Sequence, residues 1–342
     1  MQQPKLGASD VLRVGLGLAI SGFFVWLLVE KLNLSQVFAL LRAASGPWIL
    51  AGIGLLSVDY LLRAVRWRLM ICKDSPRVSL SSVFCVLLSG FAANNVLPLR
   101  AGDVMRAFWF NRRLQSSSGF LLGTLILERA LDLLTLLTIW LIVITTTHFQ
   151  LPRAGLIHAV SFLTVAGVIA LGIVLTMAAK IESFLVRIVR LFFGDRQVVG
   201  KIIFSIRPVF AVFKSCGPRL MLGLIALSGG AWILEGAVFW TVANALHLHM
   251  IAASPWLAFV FGNFAAMIPS APGYIGTFHA AVITALVTTG CERNAAASFA
   301  ILVHSVIWIC VTSAGAVAYF VSSGVKREAS EGTMISVPDA SS

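Results

Sequence analysis

Charge is what this chain has least of. Asp, Glu, Lys and Arg together make 12% of its 342 residues, about half the ~25% of an average soluble domain. With 58% hydrophobic residues, that shortage excludes a solvated globular enzyme and a disordered chain. Acid is scarcer than base, 14 Asp and Glu against 26 Lys and Arg. Cysteine is sparse as well. Cys72, Cys85, Cys216, Cys291 and Cys310 are scattered, without a C-x-x-C or a Cys/His group at zinc-ligand spacing, so neither a disulfide framework nor a metal is expected. Also missing are H-E-x-x-H, G-x-S-x-G, a dinucleotide fingerprint and G-x-x-x-x-G-K-[ST]; Gly194 to Lys201 has the wrong spacing and no Ser or Thr after the lysine. ATP-driven pumping therefore has no support, and no cofactor is expected.

What is present is long apolar runs. A bilayer span takes about 20 mainly apolar residues, and such runs lie near 11–30, 47–66, 119–146, 155–179, 218–246 and 295–323. Two more stretches, about 79–112 and 255–289, are interrupted by polar, Pro and Gly residues. The fold class is thus an all-α polytopic membrane protein, with about six full spans and two broken, re-entrant helical hairpins. The mean hydropathy of +0.93 agrees. Lys5 and Arg13 precede the first run as in a signal peptide, but no small-x-small site follows closely and the run stays apolar to Val29. It is read as a retained helix.

The basic residues orient the spans, and an excess of base between apolar runs speaks for lipid rather than nucleic acid. Of the 26 Lys and Arg, 21 fall before the first run, after the second, at the end of the first broken stretch, between 180 and 219, or after the last run. Taking these as cytoplasmic puts both termini inside, in the cell (inner) membrane. Both flanks of 79–112 are then inside and both flanks of 255–289 outside, so each stretch dips in from its own face. Irregular backbone at that depth is tolerated only inside protein or beside a wet cavity.

Residues 1–146 and 155–323 then repeat one plan in opposite orientation: span, span, broken hairpin, span. Pro98 to Gly102 rhymes with Pro269 to Gly273, each preceded by Asn (Asn94 and Asn95; Asn263). Interrupted inverted repeats are the layout of transporters with a midplane site. Segment 180–219, basic and apolar by turns, is expected to be a cytoplasmic loop whose pattern suits an amphipathic helix on the inner leaflet. Residues 324–342 are expected to be a disordered tail.

Four constellations carry chemistry. In the first break, Pro98 and Gly102 end a helix, freeing backbone N–H groups that favour anions, and Asn94, Asn95, Arg100 and Arg106 add donors suited to phosphate. An ordinary loop whose arginines obey the positive-inside rule is the alternative. Arg63 and Arg66, a turn apart before Trp67, suit either an interfacial basic and aromatic belt or headgroup binding, and Asp59 can pair with Arg63 at i,i+4.

Glu128, Arg129 and Asp132 stand inside an apolar run, at about 2.5–3.5 kcal/mol per charge at a helix centre. Arg129 and Asp132 can neutralise each other as a structural pair, leaving Glu128 for another helix; the functional reading is a substrate-amine or proton site, or a partner for Arg100. Glu235 is isolated mid-span and needs a partner from elsewhere. The second break holds Pro269, Pro272, Gly273 and Gly276, too many for a plain span. His279 could carry a proton, but it and His304 read more simply as packed histidines.

In order, R-x-x-R-W (Arg63 to Trp67), N-N-x-L-P-x-R-x-G-[DE]-x-x-R (Asn94 to Arg106), E-R-x-x-D (Glu128 to Asp132) and P-x-x-P-G-x-x-G (Pro269 to Gly276) resemble the lysylphosphatidylglycerol synthase transmembrane (flippase-domain) family over nearly the whole chain. The resemblance implies a role in moving a lipid, such as aminoacylated phosphatidylglycerol, between leaflets. Members without the enzyme domain are linked to other lipids, including polyprenyl-linked sugars. It also implies that Arg100, Arg106, Glu128, Arg129, Asp132, Pro269 and Gly273 are site or gate residues. One departure is Thr277-Phe278-His279 after Gly276, where the family often has an acid. The chain ends about 20 residues after its last run, so the soluble aminoacyl-transferase domain is not expected.

Residues and resemblance together lead to a lipid flippase rather than an enzyme, with Arg100 and Arg106 expected to hold the phosphate and Glu128, Asp132 and Glu235 any cationic or sugar portion. Its partners are membrane lipids, with a lipid-biosynthetic enzyme as a further candidate and no nucleic acid. An enzyme acting on a lipid-linked phosphate, or a non-transporting accessory subunit, is the alternative.

Overall fold

The computed structural model describes residues 22–23, 32–97, 100–146, 153–193, 197–267 and 272–334. All regular structure among them is helical. In chain order the helices are α1 (Leu34–Arg42), α2 (Gly46–Ile71), α3 (Leu80–Val96), α4 (Ala101–Val104, running into a π-helical turn at Met105–Trp109), α5 (Ser118–Thr146), α6 (Arg153–Phe193), α7 (Gln197–Ser215), α8 (Pro218–Ala245), α9 (Ala253–Ala265), α10 (Thr277–Thr288) and α11 (Arg293–Met334).

Local chemistry sets the starts. Asn33 and Ser79 cap α1 and α3 by accepting from the backbone N–H groups of Gln36 and Ser82. Prolines open α2 and α8, where a missing N–H costs nothing. The Glu292 carboxylate takes the N–H groups of Asn294 and Ala295 at the head of α11.

The chain is a multi-pass membrane protein. Among the described residues four segments are long and apolar enough to cross a bilayer: α2, Ile157–Phe192 of α6, α8 and Arg293–Val321 of α11. Helix α5 is as long, at 29 residues, but carries Glu128, Arg129 and Asp132. Phe162, Leu222 and Phe320 stand exposed on this surface, as side chains facing lipid do. The run at 11–30 lies, but for two residues, outside the described residues.

The broken stretches are short-limbed. α3, α9 and α10 have 17, 13 and 12 residues, or about 25, 20 and 18 Å of helix, against a hydrocarbon core of about 30 Å.

Two expectations need correction. Segment 180–219 is not a separate surface loop. Residues 180–193 contain no Gly or Pro, so α6 continues through them, and α7 turns back against α5 and α6. Lys214 and Arg207 of α7 both reach Glu182 of α6, and Pro208 lies against Gly119 of α5. Helix α11 likewise runs to Met334, past the expected change of character at 324; residues 335–342 lie outside the described residues.

Among the described residues two large apolar cores result, with a small third cluster of Leu137, Ile144 and Val160 between α5 and α6. One gathers Phe239, Phe259, Phe299 and Trp232 from α8, α9 and α11. The other gathers Trp67, Met70, Leu121 and Leu127 from α2 and α5. Helices α2 and α8 run antiparallel between them, with Ser45 N donating to Ala245 O (2.8 Å) at one end and Arg66 reaching Ser228 (2.7 Å) at the other.

Candidate functional site

Helical periodicity stacks Asp59, Arg63, Arg66 and Trp67 on one face of α2, at i, i+4, i+7 and i+8. Ser228, Trp232 and Glu235 repeat that spacing on α8, and Glu128, Arg129 and Asp132 come from α5. Where these faces meet, the structure assembles a buried ionic network.

Arg66 Nη1 donates to Asp132 Oδ1 (2.6 Å) and Ser228 Oγ (2.7 Å), and the Trp232 indole donates to the same Asp132 oxygen (3.0 Å). Arg106 gives Nη1 and Nη2 to the two oxygens of Glu128 at 3.0 and 2.8 Å and lies 4.0 Å from the Trp67 ring centroid. Arg129 gives Nη2 to both oxygens of Asp103 at 3.1 Å, and Asn94 donates to Asp103 at 3.2 Å. Arg63 differs. Its Nε meets Asp59 Oδ1 at 2.8 Å and its Nη2 meets Glu235 Oε2 at 2.7 Å, so one guanidinium, 4.5 Å from the Trp232 ring centroid, serves two carboxylates. Asn263 of α9 donates to the other Glu235 oxygen at 3.2 Å.

The network brings together seven sequence-predicted residues, Arg63, Arg66, Arg106, Glu128, Arg129, Asp132 and Glu235, with Asn94 at its edge. Several expected roles change. Arg63 and Arg66 are buried and do not form an interfacial belt, because their carboxylate partners lie inside the bundle. Arg106 is 0% exposed and holds Glu128 with both terminal nitrogens, so it is not turned toward a phosphate. Glu128 pairs with Arg106 and not Arg100. Asp132 has Arg66 at 2.6 Å and Arg129 at 3.8 Å, so its main partner comes from another helix.

The two breaks meet each other. Pro98 and Pro269 lie outside the described residues, but the chain beside them is defined. Arg100 takes left-handed backbone (φ 52°, ψ 41°) ahead of α4, donates to Ala266 O at the end of α9 (3.2 Å) and lies 5.9 Å from the Tyr274 ring centroid. α3 and α4 fold so tightly that a β-carbon on Gly102 would overlap Gly90 O. In the second break Gly273 (φ 71°) follows Pro272 in a 3-10 turn, and Gly276 (φ 92°) precedes α10. A β-carbon at Gly273 would lie 3.3 Å from Asn95 O and 2.8 Å from Trp308 Nε1. Asn95 in turn donates to Thr312 of α11 (3.0 Å).

Sequence reading missed Asp103 and Trp232 as members of the network. Trp232 could have been found from its spacing to Ser228 and Glu235. It also missed that His279 and His304 face each other, Nδ1 of His304 lying 3.3 Å from Nε2 of His279. They sit on α10 and α11, 25 residues apart, and no local pattern links them. Among the described residues no group of three His, Cys, Asp or Glu is placed to hold a metal.

Known proteins bear on this arrangement. A UPF0104 membrane protein of Methanothermobacter thermautotrophicus is 26% identical over 307 residues, covering 83% of this chain and 88% of that one. Another, from Methanocaldococcus jannaschii, is 20% identical over 338 residues, covering 96% and 98%. Residues 14–315 match the family described as the lysylphosphatidylglycerol synthase TM region. This span takes in the whole ionic network and both helix breaks, and the chain belongs to that family.

Proposed function

We propose that this protein is a lipid transporter, passing an anionic, aminoacylated or polyprenyl-type headgroup between leaflets at the junction of its two helix breaks while the acyl chains stay in the bilayer. One observation carries the reading. Arg63, Arg66, Arg106 and Arg129 are each matched by a carboxylate, whereas Arg100 makes no ion pair among the described residues and spends its recorded hydrogen bond on a backbone carbonyl. A guanidinium so placed keeps donors for a phosphate.

Acceptor groups stand nearby. Asn263, which holds Glu235, lies one turn before Ala266, which holds Arg100. A headgroup at the tip of α9 would meet a cation on one side and a carboxylate on the other, for its phosphate and its amine or sugar. Pro272, Gly273 and Gly276, with Gly102 opposite, supply the bendable backbone that a gate needs. The reading carries its topology with it: two inverted halves, about 1–146 and 155–323, in the cell membrane with both ends cytoplasmic. A lipid-biosynthetic enzyme would be the supplier of the headgroup.

The test is translocation in proteoliposomes of purified protein, offering an anionic phospholipid, an aminoacylated phospholipid and a polyprenyl phosphate. One class should move selectively. Arg100→Ala should slow it about tenfold or more, the size of one lost charged hydrogen bond, and Arg100→Lys should retain part of the rate. A folded protein that moves none of the three overturns the reading.

A further inference from the structure

Three arginines of the network each hydrogen-bond one carboxylate: the buried Arg66 with Asp132 and Arg106 with Glu128, and the partly exposed Arg129 with Asp103. Arg63 alone hydrogen-bonds two, Asp59 and Glu235. Arg106 passes Asp103 at 3.8 Å, and Arg129 passes Glu128 and Asp132 at 3.7 and 3.8 Å, without a second hydrogen-bonded carboxylate. Asp59 is 0% exposed, and its Oδ2 has no hydrogen-bond partner. Asp132 Oδ2 also lacks a hydrogen bond, but its carboxylate has Arg66, the Trp232 indole and Arg129 around it.

The groups facing Asp59 and Glu235 can be named. Tyr60, Arg63 and Arg66 lie on α2 itself, Asp132 on α5 and Asn263 on α9, with Tyr274 of the second break near Tyr60. α3 brings Phe91 against Tyr60. Between Asn294 and Val321, α11 has no Asp, Glu, Lys or Arg. Arg66 is taken by Asp132, and Arg100 stands at Ala266 and Tyr274 without an ion pair to Asp59 or Glu235. Among the described residues no second cation therefore meets the extra carboxylate, and an unmatched charge buried in a membrane protein is costly.

We propose that Asp59 carries a proton on Oδ2 while Arg63 bridges α2 to Glu235, and that parting α2 from α8 releases this proton. The inference rests on the transport reading and adds its coupling ion. Asp59 and Arg63 share a helix at i,i+4, whereas Glu235 belongs to α8. When the helices part, Arg63 stays with Asp59 and completes a one-to-one ion pair. The Asp59 O–H bond breaks, its electron pair stays on the carboxylate, and the proton passes to water. Glu235, already 14% exposed at its side chain, remains ionised and becomes hydrated. The closed arrangement binds one proton more than the open one, so acid favours closure and base favours opening, by about tenfold in the equilibrium per pH unit.

Two readouts on full-length protein in lipid nanodiscs test this without any lipid substrate. Infrared difference spectroscopy should show a protonated-carboxyl C=O band at neutral pH, lost in both Asp59→Asn and Glu235→Gln, since either leaves Arg63 one carboxylate. Asp103→Asn should leave the band in place. Spin labels at Leu61→Cys and Leu222→Cys, both exposed positions, in a chain with its five native cysteines replaced by alanine, should report two distances. Their ratio should move about tenfold per pH unit in the parent and stay flat in Glu235→Gln.

Absence of the band in the parent overturns the proposal and needs no variant to fold. A single distance, or a ratio indifferent to pH, overturns the coupling. Band and pH-dependent opening in a protein that moves no lipid would overturn the transport reading and leave the proton site standing.

Discussion

Arg106 holds Glu128 by two parallel hydrogen bonds, and both side chains are buried. The pair ties the short return limb after the first break to α5, and its geometry is what a planar guanidinium offers and a lysine does not. Removing one member strands the other as a buried charge, which typically costs 3–5 kcal/mol, whereas replacing both by apolar residues is often neutral. Arg106→Ala should therefore destabilise the protein by about 3–5 kcal/mol, and the double change to leucine at 106 and 128 should recover most of it. Denaturant unfolding in detergent, followed by tryptophan fluorescence, gives both values. A single variant as stable as the parent would remove the pair from the account of what holds the break in place.

The first break also depends on the absence of a side chain. A β-carbon on Gly102 would overlap Gly90 O, and 2.7 Å away stands Asn94 Oδ1, whose amide holds Asp103. Gly102→Ala must push α4 off α3, and the displacement reaches Arg106 and Arg129 through Asp103. Gly229, mid-helix in α8 with nothing within 4 Å of its would-be β-carbon, is the control; alanine there should stabilise by roughly 0.5–1 kcal/mol. Thermal unfolding of the two variants should move in opposite directions, and equal shifts would mean that α3 and α4 are not in contact.

Much of this site was legible because charge inside an apolar run is rare and costly, so Glu128, Arg129, Asp132 and Glu235 stand out individually. The breaks were legible for a similar reason: Pro272, Gly273 and Gly276 cannot all sit in an undisturbed helix. Pairing was not legible. Sequence spacing sees i,i+3 and i,i+4 neighbours, which is why Asp59–Arg63 was found and why Arg129–Asp132 looked better than it is. The partners of Arg66, Arg106 and Glu235 lie 66, 22 and 172 residues away, and only helix packing decides among them. Arg106 shows the consequence. From sequence it is a phosphate ligand equal to Arg100; in the fold it is consumed by Glu128, and Arg100 is left with donors in hand. The α6–α7 pair escaped for another reason, since its basic residues resemble those of a surface helix whether or not Glu182 waits on the facing helix to receive them.

Opposite entry faces for the two breaks are what the transport proposal requires most of the architecture, and they can be tested without knowing the lipid. Gln115 is exposed between the first break and α5, and Arg293 is exposed at the head of α11, just after the second broken stretch. In an inverted arrangement these positions flank breaks that dip from opposite sides. A membrane-impermeant maleimide added to intact cells should then modify Arg293→Cys and spare Gln115→Cys, in a background without native cysteines, and membrane disruption should expose both. Labelling of both in intact cells would put the breaks on one face. Arg100 and Glu235 would then open to the same side in every state, and a headgroup bound between them could not be handed across by exchanging the roles of the two halves.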